Sequence, residues 1–118
     1  MKNAGKDANI LVTSSILGTL PKSSVGVYGM TKAALNNMVQ WLSHELMDDG
    51  IRVNAVGPGL TKTNMTKPEF DLGIEDFFPA KSLGKPEEIA SVIAMICSKD
   101  GSFVNGETYN LTGGFPNL

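Results

Sequence analysis

The sequence predicts an α/β fold in which parallel strands alternate with helices, and three observations predict it. Short β-branched runs stand at 9–14 and 51–59, and a third strand-like segment stands at 106–114; the first has the continuous apolar character of a strand buried on both faces. Between the runs lie two stretches whose apolar residues recur at helical spacing. The resulting order of strand, helix, strand, helix, strand asks for parallel pairing through helical crossovers.

The first strand, NILVTS at 9–14, is flanked by Gly5 and Asp7. A loop follows through Gly18, Pro21 and Gly26. The stretch VGVYGMTKAALNNMVQWLSHEL, 25–46, then sets Leu35, Met38, Val39, Leu42 and Leu46 on one face of a long helix, with Met30, Ala34 and Trp41 on another side. Asp49 and Gly50 end it, the glycine being free to take a left-handed cap. IRVNAVGPG, 51–59, is the second strand, stopped by Gly57 and Pro58.

The segment 60–82 mixes Phe70, Leu72, Ile74, Phe77 and Phe78 with charges and prolines and reads as a loop with short helical turns. Pro86 opens the second helix at its favoured first position, with Glu87 and Glu88 near the positive end of the dipole. Ile89, Val92, Ile93, Ile96 and Cys97 form its expected buried stripe, and Gly101 ends it. GETYNLTGG, 106–114, is the third strand, closing on a glycine pair. Three strands with helices after two of them make a poor independent sheet, so residues 1–118 read as one partial domain, half of a larger fold.

With 42% hydrophobic and 19% charged residues and a net charge of -2, nothing in the composition asks for a nucleic-acid or anionic-membrane partner. Cys97 is the single cysteine, which excludes an internal disulfide and points to a buried thiol in a reducing compartment. The start, MKNAGKDANILVTSS, has neither the apolar run of a signal or membrane span nor an Arg-rich pattern. The glycosylation triplets at Asn64 and Asn110 are read as chance matches.

The chemistry centres on Tyr28 and Lys32. Four residues are a little over one helical turn, so the phenol and the ammonium project on the same side. A neighbouring ammonium favours the ionised phenol oxygen, which lets the tyrosine exchange a proton at working pH. Such a pair on its own is usually a surface contact, but here two further features converge with it. Ser14 and Ser15 stand just past the C-terminal end of the first strand, and Pro58 and Gly59 hold the corresponding place after the second. Ligand sites of open α/β sheets lie at that edge. His44, late in the long helix, reads as a solvated or interface residue.

Ser15, YGMTK at 28–32, IRVNAVGPGLTKT, LGKPEEIA and GETYNLTGG stand in the order and spacing of one family. Together they resemble the C-terminal half of a short-chain dehydrogenase/reductase over nearly the whole chain, most nearly its NADPH-dependent carbonyl and retinal reductase branch. The resemblance implies the C-terminal half of a Rossmann-type doubly wound parallel sheet. It implies that Tyr28 is the general acid and base, that Lys32 assists it and holds the nicotinamide ribose, and that Ser15, rather than Ser14, holds the substrate oxygen. Pro58, Gly59, Leu60, Thr61 and Thr63 would pass beside the nicotinamide, with Thr63 nearest its carboxamide. NADP(H) is the implied cofactor, with NAD(H) the alternative, and no metal is implied. The substrate would be a small hydrophobic carbonyl or alcohol, closed in by the aromatic segment 70–78 as a lid, and the protein a homo-oligomer.

The family's T-G-x-x-x-G-x-G turn, which holds the pyrophosphate on backbone amides and a helix N-terminus, does not occur in these 118 residues. The family's catalytic asparagine is expected on a preceding helix, of which Met1 to Gly5 resemble the tail. The sequence therefore reads as the chemistry end of the enzyme without the adenine end, either as part of an active reductase or as an inactive chain that serves as a binding or oligomerisation module. The ending Pro116, Asn117, Leu118 shares only the leucine of a serine-lysine-leucine signal, so the cytoplasm is expected, and the peroxisome for a longer relative.

Overall fold

A computed structural model describes residues 8–78 and 80–114. The expected helix tail at Met1 to Gly5 and the ending Pro116 to Leu118 lie outside those residues. Three parallel strands form one sheet in the order β1 (Asn9–Thr13), β2 (Arg52–Pro58), β3 (Thr108–Leu111). β1 meets β2 with Ile10 opposite Val53 and Val12 opposite Ala55, and β2 meets β3 with Val56 opposite Tyr109. Three helices intervene: α1 (Gly26–Glu45), the short α2 (Lys67–Asp71) and α3 (Pro86–Cys97). The expected α/β order is thus the observed one, and the loop 60–82 carries its helical turns at α2, Ile74–Phe77 and Ala80–Ser82.

β2 is the central strand, and its residues from Val53 to Gly57 are all buried. Strand alternation sends Val53 and Ala55 to one face, where they pack with Val39 of α1, flanked by Ile10, Val12, Leu42 and Leu46. Val56 points to the opposite face and is also fully buried. α1 ends earlier than expected, at Glu45 with Leu46 as its cap; turns follow, the last with Gly50 at φ +69°, and the chain then enters β2. At the start of α3, Pro86 occupies the first turn and the Glu88 carboxylate accepts the Lys85 amide at 2.8 Å, which fixes the helix entry.

Cys97 corrects the sequence reading. It is exposed. Ile89, Val92, Ile93 and Ile96 hold the inward arc of α3, whereas Cys97 falls at the arc's edge on the helix's last residue, where no neighbour among the described residues covers it. It borders an open cleft of about 550 Å³ with Met47, Ile51 and Phe103, at the β2 end opposite to Pro58. His44 is exposed, as expected. The aromatic segment does not enter the core: Phe70 and Phe78 are half-buried, while Leu72 and Phe77 are 86% and 81% exposed. Among the described residues no helix is long and apolar enough to cross a membrane.

Candidate active site at the strand ends

The site is built where β1 runs out. The Ser14 amide donates to the Val56 carbonyl at 2.8 Å, carrying the ladder one residue past the strand. This puts the serine pair beside the end of β2. Ser14 is 3% exposed and its hydroxyl donates to the Lys32 carbonyl at 3.1 Å, a tie between the strand end and α1. Ser15 then starts a 3-10 turn, Ile16–Gly18, and its oxygen accepts the Leu17 amide at 3.2 Å. A hydroxyl oxygen that accepts this bond still has its own hydrogen to give.

The turn is pressed against the helix that carries the phenol. A Cβ on Gly29 would lie 2.9 Å from the Leu17 carbonyl oxygen, and one on Gly18 would lie 2.8 Å from the Lys32 carbonyl carbon. Both positions need a hydrogen in place of a side chain, and that close approach sets the turn after Ser15 against the N-terminal part of α1. On α1, Tyr28 and Lys32 sit one turn apart as expected. The Lys32 ammonium donates to the Thr13 carbonyl at 3.1 Å and lies 5.5 Å from the centroid of the Tyr28 ring. Both side chains are half-buried. The Lys32 ammonium and the Tyr28 ring thus lie together at the C-terminal end of β1, the strand that Ser15 closely follows.

Pro58 ends β2, and the residues after it form a second, adjoining group. The Gly59 amide donates to the Leu111 carbonyl at 2.8 Å, the Gly84 amide to the Leu60 carbonyl at 2.9 Å, and the Lys62 amide to the Gly84 carbonyl at 3.0 Å. Thr61 is 8% exposed and its hydroxyl donates to the Gly59 carbonyl at 3.1 Å, whereas Thr63 is exposed. An open cleft of about 690 Å³ lies on Thr63, with Lys62, Asn64, Lys67 and Phe70 among its walls. The Lys62 ammonium lies 5.5 Å from the Phe70 ring centroid, and Lys67 pairs with Asp71.

Two features escaped the sequence reading. Thr66 binds both Thr61 and Thr63 through its hydroxyl; its only sequence signal is a threonine three residues after another. Asn54, fully buried in β2, donates to the Val104 carbonyl at 2.9 Å and accepts the Glu107 amide at 3.0 Å. A polar residue inside an apolar strand was the available sign.

Comparisons with known proteins agree with this fold. A family model described as enoyl-(acyl carrier protein) reductase matches residues 1–116. The chain is 36% identical over 111 residues to dehydrogenase/reductase SDR family member 4 of Bos taurus, an alignment covering 90% of this chain and 40% of that protein. A solved short-chain dehydrogenase/reductase from Brucella melitensis superposes with a TM-score of 0.83 at 40% identity, covering 92% of this chain and 45% of that one. A structure of ElxO with NADP bound superposes with a TM-score of 0.82 at 30% identity, covering 93% of this chain and 47% of that one. The chain thus spans less than half the length of these relatives. With this sheet order, and with a family model and relatives matched along nearly all of its length, the chain belongs to the short-chain dehydrogenase/reductase family of oxidoreductases.

Proposed function

We propose that this chain carries the catalytic and nicotinamide-facing side of an NAD(P)(H)-dependent oxidoreductase that interconverts a carbonyl and an alcohol. The Lys32 ammonium, held at the end of β1 by the Thr13 carbonyl and 5.5 Å from the centroid of the Tyr28 ring, supports this reading most directly. The donor set fits the nicotinamide end of the cofactor. An ammonium has three hydrogens and Lys32 commits one to Thr13, leaving two for ribose hydroxyls. Pro58, Gly59, Leu60 and Thr61 form the wall of that site, and the exposed Thr63 meets the carboxamide.

A bound NAD(P)H supplies the hydride. Tyr28 gives its hydroxyl proton to the substrate's carbonyl oxygen, and takes it back in alcohol oxidation. Ser15 directs its remaining hydrogen at the same oxygen and stabilises the charge that builds there. Lys32, fixed by Thr13, keeps a positive charge beside the ring as the proton leaves. NADP(H) is the favoured cofactor, in line with the carbonyl reductase branch and the NADP-bound relative, and NAD(H) the alternative. The exposed Leu72 and Phe77 suit a lid over a small hydrophobic carbonyl. The cytoplasm, or the peroxisome for a longer form, is the proposed location.

The test is Tyr28→Phe in the protein purified from its natural source. Carbonyl reduction should fall by about 10²- to 10⁴-fold, the usual contribution of a positioned acid, while the Kd for NADPH stays the same. Undiminished turnover would reject the assignment. A second reading has its own support, because Val27, Met30 and Trp41 of α1 are 73%, 65% and 57% exposed. That face suits a second copy of the chain, and in an inactive chain it would be the working surface. Trp41→Ala would then abolish association in sedimentation velocity, and Tyr28→Phe would change nothing.

A further inference from the structure

The end of β1 holds Lys32 at two points. The Lys32 ammonium donates to the Thr13 carbonyl at 3.1 Å, and the carbonyl of the same lysine accepts the Ser14 hydroxyl at 3.1 Å. Among the described residues these are the hydrogen bonds that join the end of β1 to α1. A carbonyl has no hydrogen, so the direction of each bond is fixed: the ammonium and the hydroxyl give. The single hydrogen of Ser14 is thereby committed to main chain and is not on offer to a substrate oxygen.

Ser14 is itself fixed. Its amide donates to the carbonyl of the fully buried Val56 at 2.8 Å, and the residue is 3% exposed. A lysine carries its charge on a flexible stem. A bond to the ammonium alone leaves the helix free to shift beneath it, and a bond to the main chain alone leaves the ammonium free to swing. Two successive residues of one strand end remove both freedoms. The ammonium is left 5.5 Å from the centroid of the Tyr28 ring, one turn earlier on the same helix.

We propose that Ser14 is a positioning residue for the Tyr28 and Lys32 pair, holding the main chain of Lys32 while Thr13 holds its ammonium, so that the charge stands at a set distance from the phenol. This rests on the reading of that pair as the site of proton transfer. Loss of the hydroxyl does not strip the Lys32 carbonyl of its partners, because a carbonyl inside a helix keeps the amide four residues on. Ser14→Ala therefore leaves that carbonyl paired and the fold intact, and loosens the pair.

The experiment compares the parent with Ser14→Ala and with Ser14→Thr, which keeps a hydroxyl, all purified from the natural source. Acetylation of Lys32 by acetic anhydride, read by peptide mass in the free protein, should quicken about fivefold in Ser14→Ala, the worth of one hydrogen bond, and stay as in the parent in Ser14→Thr. Hydrogen exchange of the Val39 amide, in the buried core on the same helix, should match the parent in both, which a general loosening of the fold would not allow. In carbonyl reduction with NADPH, kcat should fall about tenfold in Ser14→Ala at unchanged substrate KM, within the loss that a misplaced catalytic group brings, and Ser14→Thr should keep the parent's kcat. Unchanged Lys32 acetylation in Ser14→Ala, a rise matched at Val39, an unchanged kcat, or a Ser14→Thr protein that behaves as Ser14→Ala would each overturn the proposal. If the parent reduces no carbonyl, or Tyr28→Phe turns over as fast as the parent, the proton-transfer reading fails, and the acetylation and exchange rates still decide whether Ser14 fixes Lys32.

Discussion

Gly29 shows how much of the site depends on a single atom. It sits in the first turn of α1, next to Tyr28, and a Cβ there would come within 2.9 Å of the Leu17 carbonyl oxygen. Alanine improves helix propensity by about 1 kcal/mol. The clash is with backbone that cannot rotate away, and overpacking of this kind costs about 1–3 kcal/mol. The clash should win, so Gly29→Ala should lower the midpoint of urea unfolding and push the Ser15 turn off the helix. A midpoint at or above that of the parent would contradict the packing argument. The sequence carried the identities of Ser15, Tyr28 and Lys32 and their spacing on the helix. It did not carry the contact between Gly29 and Leu17, because that contact depends on how a loop lies over a helix rather than on any residue pattern.

Among the elements, β2 bears the most structure, and Asn54 is its least conventional member. Its amide satisfies the Val104 carbonyl and the Glu107 amide, while Asn105 accepts the Val53 amide at 2.8 Å and donates to the Ser43 carbonyl at 3.2 Å. These bonds steer the chain from α3 into β3. Asn54→Ala would leave the Glu107 amide without that acceptor and open a small void, for a cost of about 2–4 kcal/mol. Chemical denaturation should show it, and a loss under half a kcal/mol, the size of an ordinary surface change, would refute the role. Helix periodicity was legible for α1 and α3 because each buries one continuous arc. Cys97 was misread because a pattern cannot tell where the covering neighbour stops.

For the whole molecule, the sheet is the weak point. Among the described residues β1 pairs on one side only, and none of its residues is fully buried. Buried hydrophobic residues are few, namely Val39, Ile51, Val53, Ala55, Val56 and Ile96, while Val27, Met30, Trp41, Leu72, Phe77 and Phe103 are largely exposed. An open strand edge together with exposed apolar surface drives association. The 118-residue chain should therefore self-associate in sedimentation velocity at micromolar concentration. A monodisperse monomer with a single cooperative melt would contradict this.

The sequence by itself determined the alternation of strands and helices, the parallel sheet, and the residue types available for proton transfer, because periodicity and turn residues are local and each element buries a simple face. Only the tertiary structure decided that Ser14 ties α1 to the strand end while Ser15 accepts the Leu17 amide, that the Thr66 hydroxyl accepts the Thr63 amide, and that Cys97 lies in the open. The hydrogen bonds among these join residues 2 to 18 positions apart, and both they and the exposure of Cys97 follow from how loops and helix ends pack, which no residue pattern states.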